Sequence, residues 1–417
     1  LPLGLIDDLA GLEINRYLVA RLDALSRFGA LHNGQADVDA VPVENPGEAG
    51  SAKSKAYIEL GVDMVRTHDI DGTQGDGRGI IYNLVPKYFD TDEEVDLNDP
   101  SSYDFEELDK VIDNILATGS EVYFRFGASQ NDDNKFPEEG TEEWTQFLQD
   151  LTTMAEHIVM HYDFGWDDGY YNTLDYFEIW NEPDLYPKCW KGTPEEFYDL
   201  YRTASKHLKE RFPDIKIGGP AICGYNLPWL RPFFAMIRDE GLPFDFYSWH
   251  RYARNVGDIV GDIRLHRALL DEYGFTNTES ILDEWNYVRS FCGEEWAYSL
   301  RNIIGMKGAA FTAAVMAASQ DEPVDMLMYY DARLSSGMNC IFEGQTCTTR
   351  KGYHAVKTWG EMALLGDECE TVCEVPDIYS TTAVKDGKSI TMITYYSDDD
   401  NALPREFTVE LDGGDEL

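Results

Sequence analysis

The chain has 417 residues, 43% of them hydrophobic and 13% aromatic, which suits one large domain with a smaller module and argues against disorder. Lys and Arg total 34 against 77 Asp and Glu, a net charge of −43; this excludes the basic footprint of a nucleic-acid binder and an affinity for anionic membrane surfaces. No run reaches the roughly 18 apolar residues of a membrane span. The acidic surface fits a soluble, secreted or salt-exposed protein, although no signal peptide is visible at Leu1.

Residues 5–26 read as a helix, with Ile6, Leu9, Leu12, Ile14, Leu18 and Leu22 on one spacing, so 1–27 is predicted as a helical extension. A first strand is placed within 28–45. Short apolar runs then follow at 62–69, 121–127, 175–182, 215–220, 244–250, 280–285 and 324–331. Helical patterns separate them at 104–118, 142–163, 193–211, 226–240, 258–273 and 293–318. Strands alternating with helices in this way signal a parallel sheet. The predicted fold class is α/β, a TIM (β/α)8 barrel over 28–366. Past a helix near 352–365 the pattern becomes Ile378–Val384, Ser389–Tyr396 and Glu406–Leu411, three short strands. They predict a small C-terminal antiparallel β module over 367–417.

Two of the strand-like runs end in carboxylates. Tyr176-Phe-Glu-Ile-Trp-Asn-Glu-Pro183 ends at Glu182, and Ser280-Ile-Leu-Asp-Glu-Trp-Asn286 carries Glu284. Catalytic residues of a TIM barrel lie at the C-terminal ends of its strands, and a pair of carboxylates is what glycoside hydrolysis requires. Alternation along a strand puts Glu178, Trp180 and Glu182 on one face. Glu178 then needs a cation, and Arg66 and Arg125 are the candidates. Arg66 shares a face with His68, and His250 shares one with Tyr252, so polar side chains converge on one rim. Asn181 is placed to meet a sugar 2-hydroxyl and Tyr252 to hold Glu284.

Trp190 and Trp285 are read as surfaces for sugar stacking, whereas Trp180, Trp249 and Trp296 are assigned to the core or wall. Asp331, ending the last strand, either binds sugar hydroxyls or caps a turn. Cys189 is read as structural, since no base is evident beside it. The seven Cys (189, 223, 292, 340, 347, 369 and 373) include the close pairs 340/347 and 369/373. One or two disulfides are expected, as in a secreted protein, in preference to a zinc site.

Together, Val65-Arg-Thr-His-Asp69, Tyr176–Leu185, Gly218-Gly-Pro220, Ser248-Trp-His-Arg-Tyr252 and Asp283-Glu-Trp-Asn286 resemble glycoside hydrolase family 39, a family of clan A retaining enzymes that includes β-xylosidases and α-L-iduronidases. The resemblance runs from about residue 56 to about 366. It implies a barrel with an appended β domain, Glu182 as acid/base after strand 4 and Glu284 as nucleophile after strand 7. It places His68, Asn181, His250 and Tyr252 around the sugar at subsite −1. It implies a carbohydrate substrate and no cofactor or metal. The acidic balance favours a neutral sugar such as xylose or arabinose over an iduronide. Two rival classes are a sugar-binding barrel without catalysis, and a metal-dependent hydrolase using His68, Asp69, His250 and Asp331. Intact glutamates weigh against the first, and the lack of an HxH or HxxE spacing against the second.

Overall fold

The structure, a computed structural model, describes residues 30–33, 52–68, 80–91, 94–127, 136–332, 336–343 and 348–408. Eight parallel strands close a barrel in chain order: β1 (Ala30–Asn33), β2 (Met64–Thr67), β3 (Glu121–Phe126), β4 (Leu174–Ile179), β5 (Lys216–Ile222), β6 (Phe246–Ala253), β7 (Glu279–Tyr287) and β8 (Met326–Tyr329). Closure comes from β1 against β8, Ala30 beside Met328 and Leu31 beside Tyr329. The first strand thus falls inside the 28–45 window, while the helix expected over 5–26 lies outside the described residues.

The helices start and stop for local reasons. Glu142–Phe164 begins where the Thr141 side chain accepts from Trp144 N and ends at left-handed Gly165. Pro194–Arg211 opens on a capping box, in which Thr193 and Glu196 each cap the other's backbone N–H. The single helix predicted over 293–318 is two, Gly293–Ile303 and Met306–Ser319, separated at Gly305. Apolar periodicity continues across that break, which hid it from a pattern-based reading.

Apolar side chains on the helix-facing sides of the strands build the main core with the surrounding helices. Inside the barrel a second layer forms from Met64, Tyr123, Tyr176, Phe246, Ile281, Met326 and Met328. Register shifts interrupt β6 between Trp249 and His250 and β7 between Leu282 and Trp285.

Beside the barrel, β9 (Asp367–Cys369), β10 (Ile378–Lys385) and β11 (Lys388–Tyr395) form an antiparallel sheet with β10 in the middle. Among the described residues the third strand is Asp367–Cys369, where Glu406–Leu411 was expected. Residues 406–408 are exposed and make no ladder, and 409–411 lie outside the described residues. The loop after β11 returns to the barrel. Tyr396 packs its ring on Phe311 and donates to Arg254 O, and Asp398 receives Tyr287 Oη (2.6 Å), Arg289 Nε (3.0 Å) and, at its carbonyl, Lys307 Nζ (2.9 Å).

The disulfide expectation is corrected for the described cysteines: 189, 223, 292, 340, 369 and 373 all carry free thiols. Cys369 is buried in β9 whereas Cys373 is exposed and turned to the Ile378 carbonyl, so close spacing does not bring their sulfurs together. Cys347 lies outside the described residues.

Candidate active site

Arg66 is the centre of the site. It projects from β2 into the barrel, has no solvent exposure, and its guanidinium bridges β4 and β7. Nε donates to Glu178 Oε2 (2.7 Å), Nη1 to Glu284 Oε1 (3.0 Å) and Nη2 to Asn181 Oδ1 (2.9 Å). Asp283 Oδ2 lies 3.1 Å from Nε. A planar fork of donors is suited to such bridging. Of the two cations proposed for Glu178, Arg66 makes the contact, and Tyr123 Oη adds a hydrogen bond to Glu178 Oε1 (2.9 Å).

Glu178 and Asp283 are both fully buried and adjacent. Burial pushes Glu178 up, to about 8, against the pull of Arg66, while Arg66 and His250 hold Asp283 below its ordinary value despite burial. The two are thus pushed apart, Glu178 toward the acid form and Asp283 toward the carboxylate.

At the rim, β4 ends and the backbone leaves the extended region: Trp180 has φ +75° and Glu182 φ +45°. Non-glycine residues in that region are strained. The turn breaks the alternation that predicted a shared face for Glu178, Trp180 and Glu182. Glu178 enters the barrel and Glu182 its mouth, but Trp180 turns out against Phe126 and Trp190. The close fit needs a glycine opposite, since a Cβ on Gly127 (φ +108°) would lie 2.6 Å from the Trp180 ring.

The register shift in β7 performs a similar service for Glu284. It sets Glu284 opposite His250 and lets two consecutive acids, Asp283 and Glu284, both reach Arg66. Tyr252 Oη donates to Glu284 Oε2 (2.6 Å). His250 Nδ1 lies 2.8 Å from Glu182 Oε1 and 3.4 Å from Glu284 Oε2, and its Nε2 is 3.6 Å from Asp283 Oδ1. Burial lowers the proton affinity of His250, but Glu284, Asp283 and Glu182 overcome it and hold the ring well above the ordinary histidine value. His250 is therefore an imidazolium that donates to Glu182.

Ligand atoms of Glu182, His250 and Glu284 all lie within 4.8 Å of one another. That spacing is also compatible with a metal ion, which would have to displace the proton of His250. Of the alternative metal set, His250 and Asp331 are buried at strand ends, His68 sits beside the Tyr330 ring (5.8 Å), and Asp69 is outside the described residues.

Glu182, Glu284, Asn181, His250 and Tyr252 are thus brought together, with His68 nearby through Tyr330, whose ring also meets Tyr252 (6.0 Å). Asp331 is fully buried at the end of β8. Trp190 and Trp285 are placed elsewhere, and their assignment to sugar stacking is corrected. Both are buried in the layer between strands and helices, Trp190 against Trp180 and Phe197 with Nε1 donating to Thr193 O, Trp285 against Tyr329 and Phe311. Once the shift turns Glu284 inward, its neighbour Trp285 must face outward. The sequence reading gave no role to Asp283, although the acidic doublet Asp283-Glu284 was a visible signal. It also set aside Cys189, whose Sγ lies 3.6 Å from Glu182 Oε2.

The sequence profile of glycosyl hydrolases family 39 matches residues 50–362. The chain belongs to that family. A β-xylosidase of Caldicellulosiruptor saccharolyticus is 30% identical over 206 residues, which are 48% of this chain and 38% of the relative, so the family 39 chain spans well under half the length of that relative. Among solved structures, a glucosidase from Croceicoccus marinus superposes with TM-score 0.71 at 22% identity, covering 92% of this chain and 77% of the other. A monomeric β-xylosidase from Caulobacter crescentus CB15 superposes with TM-score 0.61 at 17% identity, covering 87% and 75%. At these identities the structures bear on the fold alone.

Proposed function

We propose that this chain is a retaining glycoside hydrolase of β-xylosidase type, acting on a plant, algal or microbial oligosaccharide or polysaccharide. The observation that carries the reading is the approach of Glu182 and Glu284, with carboxylate oxygens within 4.8 Å across the barrel mouth. Retention uses carboxyl groups about 5–5.5 Å apart, and inversion about 6.5–9.5 Å. The name of the Caldicellulosiruptor relative supports xylose as the sugar.

Glu284 is the nucleophile. Tyr252 and Arg66 each donate to one of its oxygens, an environment that favours the ionised form and fixes its aim. Glu182 is the acid/base, protonating the leaving oxygen and then activating water. Asn181 Oδ1 is held by Arg66, which leaves its amide to meet a sugar hydroxyl. Charge accounting supports these roles. Arg66 and His250 are held as cations, Glu178 is pushed toward the acid form and Asp283 toward the carboxylate. With Glu284 ionised and Glu182 protonated the group is neutral. When the sugar becomes esterified to Glu284, that carboxylate loses its charge and Glu182 gains one, so the buried cluster stays neutral in both states.

The test is a screen of aryl β-xylosides, β-glucosides, α-L-arabinosides and iduronides, with NMR reading the first-formed anomer. Retained configuration with a preference for β-xyloside is expected; an inverted product removes the mechanism, and a different preferred sugar moves the specificity. Action outside the cell is part of the proposal and rests on the acidic surface; fractionation of a source culture tests it.

A further inference from the structure

Seven residues past Glu182 the chain turns back to it. Cys189 N donates to Leu185 O (2.9 Å), Cys189 O accepts from Trp180 Nε1 (2.8 Å), and the thiol donates to Glu182 Oε2 (3.6 Å). Cys189 has no solvent exposure. A second thiol faces the same carboxylate from β5: Cys223, whose backbone N–H is held by Asp184 Oδ1 (2.9 Å), is within hydrogen-bonding reach of Glu182. Burial, reinforced by the charge of Glu182, pushes both thiols up, so both are neutral S–H groups. Glu182 therefore meets an imidazolium at Oε1 and the Cys189 thiol at Oε2.

The partners of an acid/base determine how easily it cycles. Charge-assisted donors are roughly twice as strong as neutral ones and favour the carboxylate, and His250 already supplies one. A second strong donor would hold Glu182 ionised and unable to deliver a proton. A thiol is a weak donor; it can fix the side-chain rotamer while adding little preference for the carboxylate over the acid.

Building on the reading of Glu182 as acid/base, we propose that Cys189, assisted by Cys223, is a positioning residue that orients this carboxyl through weak neutral donors and so preserves its acid form. The test compares Cys189→Ser, Cys189→Ala and Cys223→Ser in the full chain. Each is assayed on an alkyl glycoside, which needs protonation, and on a nitrophenyl glycoside, which needs little. Serine is the stronger donor, so Cys189→Ser should move the alkaline limb of kcat/KM on the alkyl glycoside down by about half to one pH unit. Cys223→Ser should shift it the same way by less. Cys189→Ala frees the rotamer and should lower kcat on the alkyl glycoside about ten-fold, with the nitrophenyl glycoside changed by less than about two-fold. A packing role would lower the melting temperature and slow both substrates equally with the limb in place; that result, or an unmoved limb in both serine variants, overturns the proposal. Glu182→Ala is the control: if it shows no leaving-group dependence, the acid/base reading itself fails, and if it does while the cysteine variants do not, the inference alone fails.

Discussion

The two ends of the barrel handle charge in opposite ways. At the floor, Lys216 of β5 meets Glu279 of β7 (2.5 Å) and Tyr176 of β4 (2.8 Å), one cation for one carboxylate, with side chains 39% and 28% exposed at the Lys and Glu. Near the rim, four carboxyls (Glu178, Glu182, Asp283 and Glu284) surround two cations, Arg66 and His250, and the centre of the cluster is closed to water. The floor is a local ion pair that solvent can screen. At the rim these four carboxyls outnumber the two cations they contact. On the proposed mechanism, the carboxyl that must alternate between acid and carboxylate belongs to the crowded cluster and not to the screened pair.

That contrast can be broken from the catalytic side first. Glu284→Ala removes the proposed nucleophile and should lower kcat by about 10⁴-fold or more, with sugar binding retained in calorimetry; near-normal turnover would show the nucleophile misassigned. Glu182→Ala should lose about 10²–10⁴-fold on alkyl glycosides and much less on aryl glycosides with good leaving groups. Added azide should then give the glycosyl azide of retained configuration, because an anionic nucleophile needs no general base. Uniform loss without an azide product would make Glu182 structural.

Stability measurements sharpen the same contrast. Arg66→Leu leaves buried carboxylates without their cation and should destabilise the fold by about 3–5 kcal/mol, read by denaturant unfolding. Glu178→Gln imitates the protonated carboxyl. Because the native value of Glu178 lies above its ordinary one, the folded chain holds a proton that the unfolded chain releases, and its contribution weakens stability as pH rises toward about 8. The variant should flatten that part of the decline in melting temperature between about pH 5 and 8. A remainder should persist from His250, whose stabilising proton is fully bound below its ordinary range and lost at higher pH. An unchanged slope would place the Glu178 proton elsewhere. At the floor, Lys216→Met should cost only about 0–1 kcal/mol; a loss as large as that of Arg66→Leu would erase the distinction between the two ends.

Much of this was readable from residue order. Strand-helix alternation gave the barrel, and the two runs ending near Glu182 and Glu284 gave the rim, because period-2 and helical patterns are local properties. What alternation could not supply was its own interruption. The positive φ at Trp180 and Glu182 and the register shifts in β6 and β7 decide which of two neighbouring side chains faces the site. For that reason Trp180 and Trp285 were misdirected on paper, and Asp283 was overlooked. Cys189 was hidden for a different reason: its relation to Glu182 depends on a loop folding back, which no periodicity records. Asp367–Cys369 is three residues long, too short to rise above a turn in any pattern.

The grip on Asp398 has a consequence for anyone who would edit this protein. Tyr287 and Arg289 stand three and five positions beyond Glu284, and both hold an aspartate that lies past the last strand of the small sheet. The small sheet is therefore no detachable cassette: a fusion junction or domain exchange made before Asp398 would unfasten the segment that carries Glu284, whereas one made beyond Asn401 would leave it anchored.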